Sequence, residues 1–166
     1  MTAQIAEILL YEGKKLSMCT EPLKDYFLLS GNYPQFELNC TALWRGYIGS
    51  WEIRDQRLYL VGLEGILEDG TDFSLTTLFP DYPDRVFAHW YSGTIRIPQG
   101  KQLKYVHSGY RSTFEKDLLI EIDQGVVIST RIRHNGISEL DNVPSGYGVG
   151  AMTVFPVRGK QVGDTK

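Results

Sequence analysis

The stretch Trp44-Arg45-Gly46-Tyr47-Ile48-Gly49-Ser50-Trp51-Glu52-Ile53, followed by Leu58-Tyr59-Leu60-Val61, decides the fold class. Aromatic and β-branched residues fill both arms, and Arg54-Asp55-Gln56-Arg57 between them is polar enough to reverse the chain. That pattern is a β-hairpin. In the first arm Trp44, Gly46 and Ile48 fall on one face and Leu43, Arg45 and Tyr47 on the other. Gly49 offers a bulge that would let Trp51 and Ile53 change face.

Working outward towards the N-terminus, Ile5 to Tyr11 and Lys14 to Met18 flank Glu12-Gly13 and read as a first hairpin. Pro22, with Leu23, Tyr26 and Phe27 at helical spacing, gives a short helix over 22–29 that Ser30-Gly31-Asn32-Tyr33-Pro34 ends. Towards the C-terminus, Ser74 caps a single helical turn over 74–79 before Pro80. Arg85 to Tyr91 reads as a central strand covered on both faces, with His89 as a core imidazole. Pro98-Gln99-Gly100 reads as a type I reversal before Leu103 to Val106. Phe114 to Ile122 and Val126 to Arg133 form the last hairpin around Asp123-Gln124-Gly125, with Leu118, Ile120, Ile122, Val126 and Ile128 as its inward row. The expected architecture is a single, mainly antiparallel β domain over 1–158, a partly closed barrel or sandwich with two short helices. One further strand at most lies in 151–157, and 159–166 is a frayed tail. Trp44, Trp51, Trp90, Ile95, Leu118 and Ile120 are the expected core.

Ten Tyr, seven Phe, three Trp and seventeen Gly in 166 residues suit pleated surfaces and tight turns. The start of the chain carries no basic stretch leading into an apolar core, and no apolar run is long enough to span a bilayer, so a soluble, cytoplasmic protein is expected. Cys19 and Cys40 are too few for a disulfide scaffold and are expected as free thiols. Net charge is only −3, but it is unevenly spread. Residues 58–84 contain no Lys or Arg and hold Glu64, Glu68, Asp69, Asp72, Asp81 and Asp84, whereas over 85–134 basic side chains outnumber acidic ones eight to four. An acidic face towards a basic partner competes with a set of solvated turns.

His89, His107 and His134 lie too far apart to make a metal motif, and no metal or cofactor is expected. The densest polar chemistry is the connection Tyr105 to Thr113, where Tyr105, His107, Tyr110 and Arg111 are candidate ligand contacts; the competing reading is a hydrogen-bonded crossover. Ser108 and Ser112 beside His107 lack a nucleophile elbow. Interleaved aromatic and basic residues between Trp90 and Arg111 could stack bases, but the acidic total argues against nucleic acid.

The motifs Trp44-Arg45-Gly46-Tyr47, Leu78-Phe79-Pro80, Ile95-Arg96-Ile97-Pro98-Gln99-Gly100 and Tyr105-Val106-His107-Ser108-Gly109-Tyr110 resemble those of a group of small bacterial β-rich proteins without assigned activity. The likeness spans roughly residues 5 to 130 and carries no catalytic residue over. A non-catalytic, protein-binding module is therefore the favoured reading. As an analogy of class, it would be an immunity protein or inhibitor that neutralises a basic bacterial toxin through Asp69, Asp72, Phe79, Asp81, Tyr82 and Asp84. The alternative is a small-ligand-binding barrel or a hydrolase using the 105–113 loop.

Overall fold

A computed structural model describes residues 3–38, 40–106 and 109–136. His107, Ser108, most of the glycine-rich segment, the expected strand at 151–157 and the tail lie outside the described residues. The chain forms β1 (Glu7–Tyr11), β2 (Lys14–Met18), α1 (Pro22–Ser30), β3 (Tyr47–Arg54), β4 (Arg57–Ile66), β5 (Asp72–Phe73), α2 (Leu75–Leu78), β6 (Val86–Phe87), β7 (Gly93–Lys104), β8 (Thr113–Asp123) and β9 (Val126–His134). All nine strands belong to one mixed sheet in the order β2-β1-β3-β4-β9-β8-β7, with β5 and β6 pairing on β4. Every pairing is antiparallel except β1 with β3. The sheet is not closed, although just past β2 the Cys19 N–H donates to the Arg96 carbonyl of β7 at 2.9 Å. The expected mainly β domain with two short helices is what forms.

α1 packs against the core face of the sheet, burying Pro22, Leu23 and Phe27. The Phe27 ring lies edge-on to Tyr47 at 5.9 Å, and Trp90 Nε1 donates to the Pro22 carbonyl at 2.8 Å, tying the helix to the sheet. Gly31 ends α1 in the left-handed conformation that glycine adopts without strain.

Several expectations are corrected. Trp44 is 57% exposed, because residues 40–46 turn twice, Leu43 N–H to the Cys40 carbonyl and Gly46 N–H to the Leu43 carbonyl, which sends Arg45 inward instead. Trp51 stays on the face of Tyr47, and the bulge lies between the Ser50–Gly62 and Trp51–Leu60 pairs, which leaves Val61 of β4 as the extra residue. Gly49 is needed for space: a Cβ there would sit 2.5 Å from Glu7 Oε1. The strand expected over 85–91 shrinks to β6, since Ala88 N–H bonds the Leu58 carbonyl and Tyr91 N–H the Ala88 carbonyl; His89 is consequently exposed. Pro98-Gln99-Gly100 does not reverse the chain. β7 runs through it by register shifts against β8, with Gly100 at φ +82 against the Glu115 side chain. Trp51, Ile95, Ile120 and Ile122 are buried and Trp90 and Leu118 half-buried, but Val126 and Ile128 are exposed because β4 meets β9 at one residue pair only, Arg57 with Val126.

Candidate functional site

The outer face of β3 and β4 carries an open cleft of about 490 Å³. Its floor is apolar, from Leu43, Ile48, Leu63, Ile66 and Phe73, and its rim holds three carboxylates, Glu37, Glu64 and Asp72. Backbone pairing places each of them. Glu64 stands opposite Ile48 in the β3–β4 ladder, and Asp72 opposite Ile66 where β5 joins β4. Glu37 arrives from the other side: Phe36 bridges to Leu67, and the Glu37 N–H donates to the Ile66 carbonyl at 2.8 Å. Two glycines permit this approach. A Cβ on Gly46, which has φ +84, would lie 2.4 Å from the Cβ of Phe36, and one on Gly65 would lie 2.8 Å from the Gly46 carbonyl oxygen.

All three rim carboxylates are exposed, and none is in an ion pair of the described residues. Glu68, Asp69, Asp81 and Asp84 lie outside the cleft and are exposed as well. Asp69 is engaged locally: its Oδ1 accepts the Thr71 hydroxyl at 2.6 Å and the Thr71 N–H at 3.0 Å, and these bonds hold its carboxyl below the usual range. Tyr82 is 55% exposed between Asp81 and Asp84. Phe79 is only half-exposed, stacked on Trp90 at 6.0 Å and packed against Tyr26 at 5.0 Å, so it braces this loop on the core. The structure thus keeps Asp72 of the expected acidic set in the cleft, spreads Asp81, Tyr82 and Asp84 along the neighbouring loop, and adds Glu37 and Glu64.

The 105–113 connection is strongly tied down. Arg96 donates from Nη1 to the Tyr110 carbonyl and from Nη2 to the Ser112 carbonyl, while Gln4 N–H donates to the Gly109 carbonyl. Val106 N–H bonds the Ser112 hydroxyl at 2.9 Å. Tyr105 and Arg111 are exposed, whereas Tyr110 is half-buried with its hydroxyl donating to the Ile5 carbonyl at 3.3 Å. Burial, and then the neighbouring Glu21, pushes the Tyr110 phenol well above its ordinary value.

Sequence reasoning missed the interior ion cluster beside it. Glu7 is fully buried; its Oε2 accepts Arg45 Nη2 at 2.8 Å, Arg45 Nε at 3.1 Å and the Gly49 N–H at 2.7 Å, and its Oε1 accepts Trp51 Nε1 at 3.1 Å. Burial raises the Glu7 carboxyl above its ordinary value, against the opposing pull of Arg45 and the other donors. Asp117 is buried in the same manner, accepting Arg96 Nε at 3.0 Å, Asn135 Nδ2 at 3.0 Å and Arg133 Nη2. Burial works to raise its carboxyl, but these donors together hold it below the usual range. The signal that could have found the first cluster is Arg45 itself, an arginine inside an aromatic strand run, which demands a buried acid.

No three His, Cys, Asp or Glu side chains among the described residues come together as a metal site, and no described helix is long and apolar enough to cross a membrane. Comparison of the chain with protein-family models, with curated proteins and with solved structures found no match, so the acid-rimmed cleft stands on its own geometry.

Proposed function

We propose that this chain is a non-catalytic binding module that takes a basic protein partner on the acidic surface running from the β3–β5 cleft to Tyr82, in the way an immunity protein or inhibitor covers a toxin. The observation that carries the reading is the cleft: three unpaired carboxylates, Glu37, Glu64 and Asp72, surround an apolar floor. A Lys or Arg stem lies favourably along apolar side chains while its charged head meets carboxylates at the rim. The flanking Asp81 and Asp84 add a field that speeds encounter, and Tyr82 supplies a ring to be buried on docking.

The most informative first observation is which gene lies beside this one, because a neighbouring basic toxin names the partner. With that protein purified, stopped-flow association at several salt concentrations tests the site. Glu37→Gln with Glu64→Gln and Asp72→Asn should slow association and flatten its salt dependence, whereas Tyr82→Ala should act mainly on dissociation. Unchanged rates at low salt in both variants would refute the assignment. A second reading, a small-ligand site at the 105–113 connection, draws on the half-buried Tyr110 phenol, which lies near Glu21 and Arg45.

A further inference from the structure

β9 is exposed along nearly its whole length. Ile128 is 64% and Ile132 49% exposed, and Ser129, Thr130, Arg131, Arg133 and His134 are exposed as well. On one side β9 pairs with β8 from Asp123–Val126 to Lys116–His134. On the other it meets β4 only at Arg57–Val126, with one further bond from the Val127 N–H to the Gln56 carbonyl. The reason is geometric. The β3–β4 hairpin turns back at Asp55-Gln56, so β9 runs on past the turn, and residues 128–134 form an open edge among the described residues. A long edge with apolar side chains is a template for another strand.

The orientation of the edge follows from one bond. Asn135 N–H faces β8, donating to the Glu115 carbonyl at 2.8 Å, and the β8–β9 register is unbroken from residue 134 back to 129. By alternation the N–H and C=O groups of Thr130, Ile132 and His134 point away from β8, into the open edge. We propose that this edge binds a second copy of the chain, β9 pairing antiparallel with β9 across a two-fold axis at Thr130.

The strand's own sequence selects that register. With Thr130 opposite Thr130, Arg131 stands opposite Ser129, and Ile132 of each copy comes beside Ile128 of the other, the exposed residue that β9 carries as a bulge against β8, bringing two isoleucine pairs together. Moving the axis by one residue breaks both isoleucine pairs, and moving it to Arg131 sets that arginine directly opposite its own copy. The remaining positive charge is compensated within each copy, because Arg131 lies 3.6 Å from Glu121 and Arg133 bonds Asp117. The seam is isologous and therefore closes at two copies, and it rests on none of the residues of the acidic cleft.

Sedimentation of the full chain over a range of concentrations tests the proposal. The wild type should show a monomer–dimer equilibrium. Thr130→Pro removes an outward N–H that β8 does not use and should give a monomer. In a Cys40→Ser background, Thr130→Cys should form an intermolecular disulfide on mild oxidation, since residues in a hydrogen-bonded antiparallel pair sit about 5.5 Å apart, within disulfide range. Ser129→Cys, out of register with its own copy, should link far more slowly. A wild-type monomer at every concentration overturns the proposal. If its Thr130 and Ile132 amides are nevertheless protected from hydrogen exchange, the edge is filled from within the chain. A dimer that survives Thr130→Pro, or equal linking at 129 and 130, overturns it as well.

Discussion

Replacing Arg45 by Met keeps a long side chain in place but strips the buried Glu7 carboxylate of its counter-ion and of two of the four hydrogen bonds it accepts. Glu7 has no exposure through which water could compensate. Breaking a buried pair from one side costs about 3–5 kcal/mol, a large share of the roughly 5–15 kcal/mol that holds a typical domain. The Ile5 carbonyl, which also loses Arg45 Nη1, keeps the Tyr110 hydroxyl and adds little to the loss. The pH dependence identifies the mechanism. Burial already raises the folded-state value of Glu7 in the wild type, and removing Arg45 takes away the charge that opposes the rise. A carboxyl whose folded value lies above its unfolded one takes up a proton on folding. Its favourable contribution is complete below the unfolded value, about 4.3, and is lost as pH rises through the folded value. The deficit of Arg45→Met against wild type should therefore be deepest near neutral pH and shrink in acid. Urea unfolding across that range measures it. Glu7→Gln added to Arg45→Met should recover more than half of the loss at neutral pH, because the neutral amide can still accept from the Gly49 N–H. A neutral-pH cost below about 1 kcal/mol, the scale of an exposed pair, would refute the reasoning.

Tyr47→Phe should leave stability unchanged or raise it by about 1 kcal/mol in urea melts, since the buried hydroxyl makes no hydrogen bond to the described residues; a clear loss would mean that the hydroxyl has a partner. Cys40 is exposed and should react with a thiol reagent in the native protein, while half-buried Cys19, whose thiol burial pushes up, should react slowly until the chain is unfolded. Fewer than two thiols after unfolding without reductant would contradict both assignments.

Much of the fold was legible because local and non-local signals agree where turns are short. Glu12-Gly13 and Gln124-Gly125 adopt positive φ at both residues, and strands flank each of them as the sequence implies. Asp55-Gln56 does the same without a glycine, and there the apolar arms on either side carried the prediction. Turn chemistry was overread at Pro98-Gln99-Gly100, where pairing with β8 along β7 outweighs a local preference and the sheet absorbs the irregularity as bulges. Alternation also misplaced Trp44, because the inward position is claimed by an arginine whose partner lies 38 residues earlier. The cleft was only half legible. Asp72 and Glu64 fall in the visibly acidic window, but Glu37 joins them solely because its backbone bonds Ile66, a tertiary event without periodicity to announce it.

The use the chain makes of its charges bears on the choice between binding and catalysis. A catalytic carboxylate in a protected site needs a lone pair or a proton free for the substrate. The two deeply buried acids, Glu7 and Asp117, instead accept bonds from guanidinium, amide and indole groups that fix β1 to β3 and β7 to β9 through β8. Glu37, Glu64, Glu68, Asp72, Asp81 and Asp84 take part in no ion pair among the described residues, and all six are exposed, where their field reaches into solvent. On the proposed binding reading, charges arranged in that way would steer an approaching surface, because a field extends about 8–10 Å at physiological salt and acts before contact. β3, β4 and β5 hold their register through backbone pairing and the Tyr47, Phe36 and Phe73 cluster, while the Glu37, Glu64 and Asp72 side chains around them enter no ion pair among the described residues, so the pairing of these strands does not rest on those charges.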